Sequence, residues 1–265
     1  MQSKGWALIL GASSGFGAAC ARELARDGYD VFGVHLDRRA TVGNVESIAG
    51  DIRAVGRRAA FFNVNAADSA KRAEVVDGMA RQLEADGTPG AVRVLLHSLA
   101  FGSLRPFVQG GGDAAVSQAQ MEMTLDVMAN SLVYWARELV WRGLMTEGGR
   151  IFAMTSAGST HVVASYGPVS AAKAALESHI RQLAYELAPK GIAANAIRAG
   201  ATVTPAMLKI PGHDAIIARA LSKNPSGRMT TPEDVARALA ALCDARLYWV
   251  TGNVIGVDGG EEVVG

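Results

Sequence analysis

The sequence predicts an α/β fold: a doubly wound parallel sheet of about seven strands with helices on both faces, in a single domain over residues 1–265. Three observations carry this. Short apolar runs alternate with longer segments of helical periodicity. A glycine-rich turn joins the first run to the first helical segment. No low-complexity linker, internal repeat or composition shift divides the chain, and Gly110-Gly-Gly112 reads as a loop inside the domain.

Taken in order, the strand-like runs are Ala7 to Leu10, Asp30 to Val34, Ala59 to Val64, Val92 to Leu96, Arg150 to Met154, Ala193 to Ile197 and Asn253 to Val257. Helical periodicity is clearest over Ala18 to Asp27, Ala70 to Leu83, Leu125 to Leu144, Ala171 to Leu187 and Pro232 to Leu242. A further helix is expected over Thr204 to Lys223, flanked by Pro205, Pro211 and Gly212. Those breakers suit a mobile substrate lid over residues 204–223.

Composition narrows the function classes. Hydrophobic residues make up 49% and charged ones 19%, enough for a sizeable core. A formal charge of +1 gives no general field for nucleic acid or an anionic membrane, so a small-molecule partner fits better. Cys20 and Cys243 are the only cysteines, in no metal or redox spacing, which favours a reducing compartment. Trp6 to Leu10 is too short for a secretory signal and no run reaches about 18 apolar residues, so the expectation is a cytoplasmic protein without membrane spans. His97, His161, His179 and His213 show no metal-ligand spacing, and no metal is expected.

The turn Gly11-Ala-Ser-Ser-Gly-Phe-Gly17 follows the first strand and opens the first helix. Gly11 and Gly15 permit a tight turn and close backbone approach, and amides at a helix start favour a pyrophosphate, although such a turn is also ordinary strand-helix punctuation. After the second strand, where enzymes that prefer NAD carry an acid for the ribose hydroxyls, this chain has His35, followed by Arg38 and Arg39. Guanidinium groups pair bidentately with a 2′-phosphate, so NADPH is the expected cofactor; Asp37 keeps NADH open.

Tyr166-Gly-Pro-Val-Ser-Ala-Ala-Lys173 is the most informative segment. Pro168 suits the first turn of a helix, which puts Tyr166 just before that helix and Lys173 within it. The G-x-x-x-G-x-G turn, the run from Ser165 through Lys173-Ala-Ala-Leu-Glu177 to Asn195-Ala-Ile, and Val257-Asp-Gly-Gly260 resemble the short-chain dehydrogenase/reductases, which have a Rossmann-type sheet. Most members space Tyr and Lys by four. A spacing of seven, with His97-Ser-Leu-Ala-Phe-Gly102, Gly102-Ser-Leu-Arg-Pro106, Ala206-Met-Leu-Lys209 and Asn224-Pro-Ser-Gly-Arg-Met229, resembles the divergent branch of the bacterial enoyl-acyl-carrier-protein reductases, in its NADPH-dependent subgroup. The likeness covers nearly the whole chain and is weakest over Val108 to Ala119.

The resemblance implies hydride transfer from NADPH to the β-carbon of a trans-2-enoyl thioester on acyl carrier protein or coenzyme A, in fatty-acid or polyketide synthesis. It implies a cofactor site of Gly11, Ser13, Ser14, Gly15, Phe16, Gly17, His35, Arg38, Arg39, Asn63, Val64, Ser98, Leu99, Ala100, Thr155, Lys173, Gly200, Thr202 and Thr204. Within that set Asn63-Val64 would meet adenine, Lys173 the nicotinamide ribose, and Thr202 with Thr204 the carboxamide. Tyr166, Lys173 and Ser156 would be catalytic, and Phe101, Tyr166, Ala206, Met207, Leu208 and Ile210 would line the substrate. A homotetramer is implied through the Leu125 to Leu144 helix and the Tyr248 to Gly260 segment.

Charge development agrees with the branch. In conjugate reduction hydride goes to the β-carbon while charge collects on the thioester oxygen, so the stabilising phenol should stand farther from the nicotinamide than in ketone reduction. Two departures bear on this. Met128 stands where ketone-reducing relatives carry a relay Asn, with Asn130 two residues out of phase. Ser156 stands where enoyl reductases often carry a second Tyr, with Thr155 beside it at the usual serine position. The alternatives are an NADPH-dependent 3-oxoacyl or carbonyl reductase of the same fold, and a non-catalytic NADPH-binding sensor or scaffold.

Overall fold

The computed structural model describes residues 3–37, 42–88 and 90–264. Seven strands, β1 (Trp6–Leu10), β2 (Asp30–His35), β3 (Ala59–Asn63), β4 (Val92–His97), β5 (Arg150–Thr155), β6 (Ala193–Ala199) and β7 (Val254–Val257), form one parallel sheet in the order 3-2-1-4-5-6-7. All seven fall where the apolar runs predict. The strands are rich in Ala, Val, Ile, Leu and Phe because both faces are covered; β1, β2 and β5 are buried at every position.

The helices are α1 (Gly15–Arg26), α2 (Val42–Ala54), α3 (Ser69–Ala85), α4 (Gln118–Leu125), α5 (Ser131–Trp141), α6 (Gly167–Leu187), α7 (His213–Lys223) and α8 (Pro232–Leu242). One core gathers Val76 and Met79 of α3, Trp135 of α5 and Leu176 and Ile180 of α6 against Leu8, Leu95 and Ala153. The other gathers Cys20 and Leu24 of α1, Ile48 and Ile52 of α2 and Leu239 of α8 against Ile9, Leu96 and Phe152. The strand order reverses between β1 and β4, and in open α/β sheets ligands bind at such a switch point, beyond the carboxyl ends of the strands.

Two helical expectations are corrected, and one helix lies outside the segments of clearest periodicity. Gly43 and Gly50 dilute the pattern of α2, yet Val45, Ile48, Ala49 and Ile52 form its buried stripe. The single helix expected over Leu125 to Leu144 begins at Gln118, where Ser117 and Gln120 form a reciprocal capping box, and ends at Trp141. A π-helical turn, Asp126–Asn130, separates its two parts. The expected continuous lid helix is broken: a 3₁₀ turn covers Met207–Lys209, Gly212 takes a left-handed φ of 75°, and α7 starts only at His213. Pro211 supplies no amide donor and Gly212 turns the chain, so the helix cannot run through.

Candidate active site

The glycine turn is shaped by close backbone approach. Gly11 and Ala12 donate their N–H groups to the Val34 carbonyl at 2.8 and 3.1 Å, which ties the turn to the end of β2. Gly11 has φ of 87°, and a Cβ there would stand 2.4 Å from the Ser98 oxygen. A Cβ at Gly17 would stand 2.1 Å from the Gly11 oxygen, so only glycine lets α1 pack onto its own entry turn. Ser14 caps α1 in extended geometry without a side-chain cap bond. The first amides of α1 thus lack an internal side-chain acceptor, the arrangement that suits a phosphate. Asn44 donates to the Ser13 carbonyl, and Phe16 packs partly onto the core. Gly15 faces Thr204, whose Cγ2 would touch a Cβ at 3.4 Å, so the turn and the loop after β6 approach each other.

At the ends of β2 and β3, the His35 Nδ1 lies 2.9 Å from Asp37 Oδ2. Asn63 clamps the Asp37 backbone from both sides, accepting its N–H at 3.0 Å and donating to its carbonyl at 2.9 Å, and Val64 donates to the His35 carbonyl. The strand end therefore does carry an acid, Asp37, with His35 as its partner. Arg38 and Arg39 lie outside the described residues.

The Tyr166–Lys173 pair sits where Pro168 predicts. Tyr166 is the N-cap of α6 and Lys173 is inside it. The residue before Tyr166, Ser165, is the only non-glycine at positive φ (58°) among the described residues, a strained geometry of the kind that clusters at functional sites. Gly158 lies under the Tyr166 ring; a Cβ there would be 2.6 Å from Cε1. The Tyr166 hydroxyl donates to Ser156 Oγ at 3.5 Å, and Ser156 Oγ accepts the Gly158 N–H at 3.1 Å. Burial raises the Tyr166 pKa, with the Ser156 hydrogen bond opposing, so the phenol stays protonated as a donor.

Lys173 is 5% exposed. Its ammonium donates to the Met154 carbonyl at 2.6 Å and reaches the Leu99 carbonyl at 3.5 Å, which links α6 to the ends of β5 and β4. Burial lowers its pKa to about 8, and the Glu177 carboxylate one helical turn away works against that fall. Glu177 also accepts the Thr155 hydroxyl at 2.5 Å, so the Thr155 side chain is committed to α6. The fully buried His97 donates to or accepts from Ser131 Oγ at 2.8 Å; burial first, then the Lys173 charge, lower its pKa to about 3 and keep it neutral.

Beyond β6, Gly200 is buried, Thr202 donates its hydroxyl to the Gly200 carbonyl at 2.9 Å, and Thr204 Oγ1 accepts the Met207 N–H at 3.2 Å. The backbone N–H groups of Thr202, Val203 and Thr204 donate to no acceptor among the described residues. Ser98 N–H is taken by the Leu10 carbonyl, and Ala100 and Phe101 follow on the open loop, with Phe101 exposed. Ala206, Met207, Leu208 and Ile210 lie on or beside the 3₁₀ turn, with Leu208 exposed.

Sequence reasoning missed Glu177, Gly158 and Phe107. The Phe107 ring lies on Gly167, where a Cβ would come 2.6 Å from Cζ. Among the described residues no group of three His, Cys, Asp or Glu could hold a metal, and no helix is long and apolar enough to cross a membrane. Cys20 and Cys243 are buried free thiols whose pKa values burial raises.

A seven-stranded doubly wound sheet with a glycine turn at the switch point and a buried Tyr–Lys pair on the helix after β5 defines a nicotinamide-dependent oxidoreductase of the short-chain dehydrogenase/reductase class. The family model described as enoyl-(acyl carrier protein) reductase matches residues 11–262, and the chain belongs to that family. The NADH-type enoyl-acyl-carrier-protein reductase of Aquifex aeolicus (strain VF5) is 34% identical over 178 residues, 66% of this chain; the match spans only 64% of that protein. The cis-4-hydroxycyclohexanecarboxylate dehydrogenase of Sinomonas cyclohexanicum is 30% identical over 97% of this chain and 96% of its own. The structure of the Bacillus cereus enoyl-acyl carrier protein reductase with NADP+ and indole naphthyridinone superposes with a TM-score of 0.87 at 25% identity, covering all of both chains.

Proposed function

We propose that the chain is an enoyl-thioester reductase, acting on a trans-2-enoyl group carried by acyl carrier protein or coenzyme A in fatty-acid or polyketide synthesis, in the cytoplasm. One observation carries the reading: the protonated Tyr166 phenol at the mouth of α6, seven residues ahead of the buried Lys173. A nicotinamide cofactor supplies the hydride. The uncapped start of α1 and the glycine turn fit its pyrophosphate, and the open amides of Thr202 to Thr204 fit its carboxamide. Tyr166 donates to the oxygen on which the enolate charge collects, and the Lys173 ammonium favours that charge through its field. NADPH is the proposed cofactor on the strength of Arg38 and Arg39; NADH is the second choice, carried by Asp37 beside His35. Met207 and Leu208 would cover the acyl chain. Exposed Trp141 on α5 and exposed Tyr248 and Trp249 ahead of β7 support a homotetramer.

A second reading, reduction of a 3-oxoacyl or other carbonyl, is favoured by the Ser156 hydroxyl beside that of Tyr166, which together could polarise a ketone. Tyr166→Phe separates catalysis from binding. It keeps the ring on Gly158 and removes only the donor, so turnover of crotonyl thioester should fall by roughly one to three orders of magnitude, with cofactor affinity unchanged. Near-normal turnover would remove the phenol from the mechanism.

A further inference from the structure

The chain after β7 returns to the site. Asp258 Oδ1 accepts the Gly260 N–H at 3.0 Å, and the Asp258 carbonyl is held by Asn224 Nδ2 at 2.9 Å. Gly260 then turns with φ of 89° into the 3₁₀ turn Glu261–Val263. That turn touches two loops that border the proposed cofactor site. Glu261 Oε2 accepts the Ala201 N–H at 3.1 Å, and Glu262 Oε2 lies 3.7 Å from Nδ1 of His161 in the loop between β5 and α6. Contact at Gly200 is tight: a Cβ there would meet Thr230 Oγ1 at 2.4 Å and Glu261 Oε2 at 2.9 Å. Glu261 is part-buried, and burial raises its pKa.

We infer that Glu261 is a positioning residue for the nicotinamide end of the cofactor site, holding the Gly200–Thr204 loop through the Ala201 amide; the inference rests on the reading of that loop as the carboxamide cradle. The geometry divides labour among four consecutive amides. Ala201 N–H points back to Glu261, while those of Thr202, Val203 and Thr204 are spent on no protein acceptor among the described residues. Without the Glu261 acceptor, the Ala201 amide would lose its partner and could turn, carrying the following three amides out of register. Loss of the side chain should therefore weaken cofactor binding first, and turnover with it to the extent that the nicotinamide ring is less well held.

The test uses the full chain with Glu261→Ala and Glu261→Gln, since glutamine keeps a carbonyl oxygen to accept the Ala201 N–H. Amide exchange at Ala201 in the cofactor-free protein should speed up at least tenfold in Glu261→Ala and stay near the starting rate in Glu261→Gln. NADPH and NADH titrations should show affinity falling roughly five- to tenfold in Glu261→Ala, the scale of one ordinary hydrogen bond, with the glutamine variant restored. Unchanged exchange and affinity in Glu261→Ala, or equal losses in both variants, would overturn the inference. Altered Ala201 exchange with unchanged cofactor affinity would leave the brace standing but overturn its role for the cofactor. A starting protein that binds neither nucleotide would fell the functional reading, which the exchange measurement alone does not depend on.

Discussion

The buried Lys173 ammonium makes activity pH-dependent in a direction that can be worked out. Its pKa lies near 8 because burial penalises the charged form more than Glu177 supports it. A base with a lowered pKa is charged below that value and neutral above it. At pH 7 the side chain is mostly ammonium; at pH 9 about a tenth remains so. If the field of that charge supports the enolate, kcat/KM for an enoyl thioester is level up to about pH 8 and then falls about tenfold per pH unit. His97 contributes no ionisation in this window, since its pKa is near 3, and burial raises the Tyr166 pKa, away from the limb near pH 8. Glu177→Gln removes the opposing charge and should move the falling limb down by about one pH unit, with kcat/KM at pH 6.5 little changed. Steady-state NADPH oxidation from pH 6 to 10 reads both profiles. A level profile through pH 10, or a limb unmoved by Glu177→Gln, would refute the electrostatic role given to Lys173.

Two further outcomes follow from the cofactor end. Fluorescence titration should show NADPH binding more tightly than NADH; equal affinities or a preference for NADH would shift the weight from Arg38 and Arg39 to the acid Asp37. Gly17→Ala would drive a Cβ into the Gly11 carbonyl, a backbone contact with no flexible end to yield. It should lower unfolding stability by about 1–3 kcal/mol and weaken nucleotide binding at least tenfold, read by denaturant titration and by the same fluorescence assay.

The sheet was legible because central strands covered on both faces are nearly continuous apolar runs, and the partly exposed edge strands β3 and β7 keep enough apolar residues to read as runs too. Tyr166 and Lys173 were legible because Pro168 marks the helix start between them and the spacing is local. What failed was either diluted or tertiary. The stripe Val45, Ile48, Ala49 and Ile52 of α2 has perfect helical spacing but lies among glycines and polar residues. Pro211 and Gly212 read as flanks of one helix from sequence alone, but in the fold they interrupt it. The bond of the Thr155 hydroxyl to Glu177 exists only once α6 is packed on β5, and the contact of Glu261 with Ala201 joins residues sixty positions apart that no local pattern connects.

The reaction class turns on which bond of the substrate is reduced. Steady-state oxidation of NADPH with crotonyl thioester and acetoacetyl thioester, side by side at pH 7, decides between conjugate and carbonyl reduction. The arrangement of Tyr166 and Lys173 predicts that the enoyl substrate is turned over with kcat/KM at least tenfold above the 3-oxoacyl substrate. A preference for acetoacetyl thioester, abolished by Ser156→Ala, would contradict it and assign the site to carbonyl reduction.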